Sequence, residues 1–236
     1  TVGGMINNVK TFASVLMPGV QHMRHTHLPE HKFVKGQPDT GVEMAEDLER
    51  IAMNFGGENI AACIVEPIAG STGTLVPPKG YLKRIREICD KHGILLIFDE
   101  VITGWGRTGS AFASQEFGVT PDMITMAKAT TNGVIPMGVV AVKEEMYDAV
   151  LDSSKNPEGT PELFHGYTYS GIPAAVAAGL AVQDIFEKED IFKRAKEMSP
   201  YFQDGLHSLK DLKEIVSIRG YGMMGGIEMR MKDKPG

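Results

Sequence analysis

The feature that most constrains the fold is an alternation of short apolar runs with amphipathic segments in residues 41–142. The apolar runs are residues 61–65, 94–98, 123–127 and 139–142. Runs of this length are typical of buried strands, whereas apolar residues at helical spacing predict helices over residues 43–55 and 80–92. Because strands that alternate with helices form mostly parallel sheets with helices on both faces, an α/β fold with a mixed, mainly parallel sheet is predicted.

The last third of the chain has a different pattern. The predicted elements are helices over residues 173–186 and 188–212 and strands over residues 215–218 and 223–229. These elements indicate the start of a small α+β domain. Residues 1–190 are therefore assigned to a large domain, and residues 191–236 to the beginning of a smaller one.

Charge and cysteine content limit the partners of the protein. A net charge of −6 argues against nucleic acid and anionic membranes, which attract basic surfaces. No apolar run approaches the roughly 20 residues that span a bilayer. Cys63 and Cys89 fall within a predicted strand and a predicted helix, which favours buried thiols in a reducing cytoplasm over a disulfide. The chain begins at Thr1 without Met, so we expect an internal piece of a longer protein.

Two residues that can carry chemistry follow the central strands of the predicted sheet. Asp99 comes directly after one apolar run and Lys128 after the next, and such sheets bind ligands beyond the carboxyl ends of their strands. A buried charge at either position is costly without a partner. Pyridoxal phosphate would use both, because it needs an amine for a Schiff base and an acid beside its ring nitrogen. The structural alternative is that Asp99 caps a loop and Lys128 forms an ion pair with it.

The same region also allows a prediction from a different class of enzyme, the P-loop ATPases. Residues 94–100 look like a Walker B strand, whose Asp-Glu pair would hold Mg²⁺ in a P-loop ATPase. No Gly-x-x-x-x-Gly-Lys-Ser/Thr motif occurs in the chain, and the turn over residues 70–73 lacks the required lysine. A third alternative is a catalytically silent scaffold.

Four histidines crowd one loop: His22, His25, His27 and His31. A metal site is the tempting interpretation, but Pro29 breaks any helix that would align His27 with His31. A solvated or interface loop is expected instead.

Several ordered motifs resemble those of the class III pyridoxal-phosphate-dependent aminotransferases. They are IVEP (64–67), PKGYL (78–82), LIFDEVITGWGRTG (96–109), PDMITMAK (121–128), TNG (131–133) and YTYSG (167–171). The resemblance covers nearly the whole chain and is closest to the omega-amino acid–pyruvate, or beta-alanine–pyruvate, aminotransferases. It implies the fold-type I architecture.

The resemblance implies a role for each matching residue. Lys128 matches the lysine that binds the cofactor and later moves the substrate proton, and Asp99 matches the partner of the ring nitrogen. Val101 matches the apolar residue that packs on the ring. Thr168 matches a hydroxyl that reaches the cofactor phosphate of the neighbouring subunit, which implies a homodimer or dimer of dimers with shared sites. A turn hydroxyl bonded to local backbone is the alternative for Thr168, and Arg107 matches a structural arginine.

The implied reaction moves an amino group from an omega-amino acid or primary amine to a keto acid such as pyruvate. A glutamate-1-semialdehyde aminomutase of the same family is the alternative. Ile102 replaces the glutamine that some relatives place near the cofactor, which fits the omega group. Ser71 replaces a glutamate of ornithine-type relatives, and Ile172 replaces the usual His or Asn before Pro173.

Overall fold

The computed structural model describes residues 2–153 and 167–230. Its main sheet has four strands in the order β1 (Ala62–Val65), β2 (Leu95–Asp99), β3 (Met123–Met126) and β4 (Val139–Val142). β1, β2 and β3 are parallel, and β4 is antiparallel to β3. The predicted mixed, mainly parallel sheet is therefore confirmed, with each strand within one residue of its expected bounds.

Seven α-helices occur in the part of the chain that the structure describes. They are α1 (Ile6–Thr11), α2 (Glu46–Phe55), α3 (Tyr81–His92), α4 (Ala113–Phe117), α5 (Glu144–Ser153), α6 (Pro173–Lys188) and α7 (Ile191–His207). Sequence patterns missed α1 and α5, neither of which buries a residue, and the short α4. None of the described helices is both long and apolar enough to cross a bilayer.

The core lies between α2, α3 and one face of the main sheet. Leu96 and Phe98 of β2 are fully buried there, against the face of α3 that carries Ile85 and Ile88. Burying a large apolar side chain of this kind contributes roughly 1.5–3 kcal/mol. Because successive side chains of a strand point to opposite faces, Asp99 lies on the face away from this core.

Both cysteines are free and buried, as the sequence predicted. Cys63 of β1 and Cys89 of α3 belong to the same core cluster. The packing accounts for both as small apolar side chains.

The single helix expected over residues 188–212 is wrong in its bounds. α6 extends to Lys188, and α7 begins at Ile191 after Asp190, whose φ of +49° breaks the helical path. α7 packs on a second sheet, the antiparallel pair β5 (Ile215–Tyr221) and β6 (Met224–Met229). The assigned domain boundary at residue 190 coincides with the break between the helices and stays a prediction.

The β5–β6 pair is joined to the loops above the main sheet. The Nε of Arg219 donates to the carbonyl of Gly73 at 2.8 Å, and the backbone N–H of Met223 donates to the carbonyl of Arg107 at 2.8 Å. These bonds place β6 beside the carboxyl ends of β1 and β2, where the sequence predicts a ligand site.

Candidate active site

Parallel pairing brings the ends of the three central strands to one edge. Val65 pairs with Phe98, and Asp99 pairs with Thr125. A cleft of about 390 Å³ opens at this edge. The residues that line it are Gly70, Ser71, Thr74, Val101, Ile102, Gly104, Arg107, Lys128, Ala129, Met223, Met224 and Gly225. Lys128 and Val101, which come from different strand ends, thus share one cavity large enough for a small molecule.

Asp99 is half-buried at the end of β2, directly before the loop that carries Val101. Its Oδ1 accepts a hydrogen bond from the backbone N–H of Val101 at 3.0 Å. No described residue donates to Oδ2, and Asp99 forms no ion pair with Lys128 within the described parts of the chain. Asp99 therefore caps the loop through Oδ1, as the structural alternative expected. The ion pair between Asp99 and Lys128 that the same alternative expected is wrong.

Lys128 begins the 3₁₀ turn Lys128–Thr130 that follows β3. Its φ is +46°, a left-handed conformation that side-chain-bearing residues rarely adopt. The side chain is exposed in the cleft, so the burial expected from the preceding apolar run is wrong. Among the residues that the structure describes, none forms a hydrogen bond or ion pair with its amine. A free amine in a cleft is available for covalent chemistry.

Glu66 is a second carboxylate at this edge of the sheet that sequence reasoning missed. It follows Val65 and therefore lies beside Asp99 on the neighbouring parallel strand, and it accepts a hydrogen bond from the N–H of Gly70 at 2.9 Å. Burial raises the pKa of the Glu66 carboxyl, and the charge of Asp99 raises it further, against the opposing effects of the Gly70 bond and Lys128. The signal available in the sequence was its place at the end of an apolar run, the same signal that identified Asp99.

Glu100 is fully buried and serves the loop rather than the cleft. Its carboxylate accepts the hydroxyl of Thr103 at 3.0 Å and the N–H groups of Ala113 and Ser114 at 2.6 and 2.9 Å. Those two N–H groups belong to the first turn of α4, which a carboxylate stabilises. Since its oxygens are engaged in this way, Glu100 is not placed to polarise water as a Walker B glutamate would.

Thr168 lies in the exposed turn that precedes α6. No described residue forms a hydrogen bond with its hydroxyl, so the structure does not contain the local turn bond of the alternative interpretation. Thr168 does not belong to the lining of the Lys128 cleft either. Residues 165 and 166, which precede the YTYSG motif (167–171), lie outside the described residues.

The loop that carries His22, His25, His27 and His31 was expected to be a solvated or interface loop, and the structure differs from this in part. His22 and His25 are exposed, but His31 is buried, with its Nδ1 accepting the N–H of Leu28 at 3.3 Å and its Nε2 3.2 Å from Thr40 Oγ1. A solvated loop is therefore wrong for His31, which joins two segments of the fold. Within residues 2–153 and 167–230, no three His, Cys, Asp or Glu side chains form a group that could hold a metal.

Comparison with known proteins matches this chain to one family. The family model described as aminotransferase class-III matches residues 2–235. The chain is 53% identical to an omega-aminotransferase of Caulobacter vibrioides over 100% of its own length and 53% of that protein. It is 45% identical to an omega-amino acid–pyruvate aminotransferase of Pseudomonas putida, over 99% of the chain and 52% of the relative. The chain thus spans about half the length of these relatives.

Solved structures agree with the sequence matches. The omega transaminase of Pseudomonas jessenii in complex with PMP superposes with a TM-score of 0.87 at 32% identity, over 97% of this chain and 51% of that one. A transaminase with L-ala gives a TM-score of 0.86 at the same identity. The fold-type I architecture implied by the sequence is confirmed.

Proposed function

The chain belongs to the class-III aminotransferase family, and from this premise we propose that the protein is a pyridoxal-phosphate-dependent transaminase. Its donor would be an omega-amino acid or a primary amine, and its acceptor a keto acid such as pyruvate. The observation that carries the proposal is that the amine of Lys128, which no described residue engages, shares one cleft with Val101, whose backbone N–H fixes the carboxylate of Asp99. The P-loop ATPase alternative is set aside, because family membership and the engaged Glu100 both oppose it.

The donor set fits pyridoxal phosphate. The ring of this cofactor needs an acid at its nitrogen, an apolar contact on its face and an amine at its aldehyde. Oδ2 of Asp99 and the amine of Lys128, neither of which bonds to another described residue, and the side chain of Val101 offer these three contacts. When bound, the cofactor would supply an electron sink for the bonds at the carbon that carries the amino group.

The protein's own residues would divide the remaining work. Asp99 would hold a proton on the ring nitrogen, and Val101 would keep the ring in its plane. Lys128 would anchor the cofactor covalently until an amine substrate displaces it. The released Nζ would then move the proton at the reacting carbon, as a positioned general base and acid.

The choice of substrates is supported by the relatives. One is named an omega-amino acid–pyruvate aminotransferase, another a beta-alanine–pyruvate aminotransferase and a third a putrescine–pyruvate aminotransferase. Ile102 lines the cleft and packs against Gly70, an apolar contact at the position where some relatives carry glutamine. A cytoplasmic location stays a prediction, resting on the two buried thiols.

The proposal is tested by trapping the lysine. The cofactor-loaded protein is reduced with borohydride and its labelled peptides are mapped, and we expect the label on Lys128. Lys128→Ala should lose both the label and amino transfer from beta-alanine to pyruvate, because it removes the anchor and the proton carrier together. Lys83→Ala, which changes an exposed lysine of α3, is the matched control and should retain both. A label on another lysine would show that the assignment is wrong.

A further inference from the structure

Trp105 is the only tryptophan of the chain, and it lies in the loop between β2 and α4. Its indole Nε1–H donates a hydrogen bond to Thr130 Oγ1 at 3.0 Å. The Thr130 hydroxyl in turn donates to the carbonyl of Ala127 at 2.9 Å. This relay joins the loop that carries Val101 to the turn that carries Lys128.

The turn at Lys128 needs contacts that hold it. Lys128 has a φ of +46°, and a non-glycine residue stays in this region only where its surroundings enforce it. The N–H of Thr130 donates to Ala127 at 3.0 Å, and the N–H of Gly133 donates to the Lys128 carbonyl at 3.2 Å. Thr130 itself is buried, with only 5% of its surface exposed, so its hydroxyl has little access to water as a substitute partner. The indole N–H is thus the outside contact that fixes the orientation of this hydroxyl.

The indole is itself held firmly. Its ring lies 5.0 Å from that of Phe112 and 5.6 Å from that of Phe186, with an interplanar angle of 16° in the second pair. Phe186 belongs to α6, which also approaches the Lys128 turn through Gly179, next to the carbonyl of Thr130. Aromatic pairs at these separations add attraction beyond simple burial. Because the indole ring is packed on two sides, its N–H is fixed in space and can hold the Thr130 hydroxyl in one position.

We propose that Trp105 is a positioning residue for the amine of Lys128, acting through the hydroxyl of Thr130. These two hydrogen bonds hold the Lys128 turn at a fixed distance from the loop that follows Asp99 and carries Val101. The inference rests on the proposed function, since it assigns a purpose to the placement of the cofactor lysine. Neither Trp105 nor Thr130 lines the cleft, so Trp105 would act through the turn rather than by contact with a ligand.

The effect of losing the relay follows from the geometry. Thr130→Val keeps the shape of the side chain but removes both hydrogen bonds of the hydroxyl, leaving the indole N–H without its partner. Thr130→Ser keeps the hydroxyl, and Trp105→Phe keeps an aromatic ring but removes the N–H. Misplacement of a reacting group by about 1 Å can cost on the order of a hundredfold in rate, so we expect Thr130→Val and Trp105→Phe each to lower kcat by about tenfold. KM for the amine should change little, and Thr130→Ser should restore most of kcat.

Two readouts separate positioning from mere stability. The first is hydrogen exchange of the Trp105 indole N–H in the cofactor-free protein, its signal assigned by its loss in Trp105→Phe; exchange should be faster in Thr130→Val and near wild type in Thr130→Ser. The second is the pH titration of the visible band of the lysine-bound cofactor, whose midpoint should move in Thr130→Val and return in Thr130→Ser. The double variant Trp105→Phe with Thr130→Val should be no slower than either single variant, because both remove the same relay.

The outcomes distinguish this inference from the proposed function. If borohydride labels Lys128 in the wild type, but Thr130→Val keeps wild-type kcat and titration midpoint and loses only thermal stability, the relay is structural and the inference is wrong. Additive losses in the double variant would also contradict it. If the wild type shows no label on Lys128, the proposed function fails, and the inference fails with it.

Discussion

At the residue scale, the proposed function would give the two oxygens of Asp99 separate tasks. Oδ1 accepts the N–H of Val101, which fixes the rotation of the carboxylate. Oδ2 has no donor among the described residues and is the oxygen that could accept a hydrogen bond from the protonated ring nitrogen of the cofactor. The charge is needed only for the second task, because an amide oxygen would also accept the Val101 N–H.

Asp99→Asn tests this division. The variant should still fold and bind cofactor, but an amide cannot hold the proton on the ring nitrogen. Since preorganised charge in an active site is a large contribution to catalysis, we expect kcat to fall by at least about a hundredfold. Single-turnover rates and equilibrium dialysis of the cofactor measure the two effects separately. Asp184→Asn on the exposed face of α6 is the control, and near-normal turnover of Asp99→Asn would leave Asp99 as a loop cap only.

Asp99 and Lys128 could be found from sequence because each follows an apolar run that ends at the ligand-binding edge of a parallel sheet. The pattern reports the strand before Lys128 but not the left-handed turn that begins at it, and the expected burial was therefore wrong. Glu66 was missed because it directly precedes Pro67, and a proline after an apolar run is explained by the end of the strand alone. Only the pairing of Val65 with Phe98 places it beside Asp99.

At the element scale, Asp122 joins four parts of the fold at the start of β3. Its carboxylate accepts the N–H of Leu96 in β2 at 2.7 Å and contacts Arg86 of α3 at 2.7 Å and Lys143, next to α5, at 2.7 Å. Burial alone would raise the pKa of Asp122, but the bonds from Lys143, Leu96 and Arg86 outweigh it and lower the pKa to about 2.

Asp122→Asn should destabilise the protein by roughly 3 kcal/mol at neutral pH, because it leaves two cations beside an uncharged group. The pKa of Asp122 is lower in the folded state, so its stabilising effect is fully present above the ordinary value of 3.8 and is lost as the pH falls through about 2. The difference in unfolding free energy between variant and wild type should therefore shrink below pH 4. Urea unfolding across this range measures it. Asp90→Asn, which changes only the exposed partner of Arg86, is the control; an equal loss in both variants would contradict the prediction.

The strands of the main sheet were predictable because their apolar runs end at turn residues, and each of these four strands lies within one residue of its expected bounds. The strand expected over residues 215–218 extends three residues further, to Tyr221. α5 was not, because none of its side chains is buried and no core-facing stripe marks it. The break between α6 and α7 lies in the backbone angles of Glu189 and Asp190, which an apolar pattern does not encode.

At the scale of the whole molecule, the site joins the main sheet to the β5–β6 pair. Met223 and Met224 line the cleft beside Lys128, and Arg219 donates a hydrogen bond to Gly73, in the turn whose residues Gly70, Ser71 and Thr74 also line it. That Met223 and Met224, more than 90 positions after Lys128, share its cleft could not be predicted from the sequence, because the contact depends on long-range packing.

The exposed turn before α6 bears on assembly. Thr168 presents a hydroxyl that no described residue engages, outside the cleft of Lys128. We propose that it donates to a cofactor phosphate held by a second subunit, which makes the protein a homodimer or a dimer of dimers with shared sites. A hydrogen bond to a charged group contributes roughly 1.5–3 kcal/mol, so Thr168→Ala should weaken cofactor binding by about tenfold to a hundredfold. Thermal unfolding should be unchanged, and Thr168→Ser should restore binding.

Mixed dimers decide whose cofactor Thr168 serves. If sites are shared, a dimer of one Lys128→Ala subunit and one Thr168→Ala subunit contains one site with both substitutions and one site with neither. The mixture should then regain activity at a cofactor concentration too low to load Thr168→Ala alone. If Thr168 serves its own subunit, every site carries one substitution, because the subunit that keeps Lys128 lacks the hydroxyl. No recovery after subunit exchange, or an active monomer in sedimentation, would contradict the shared site.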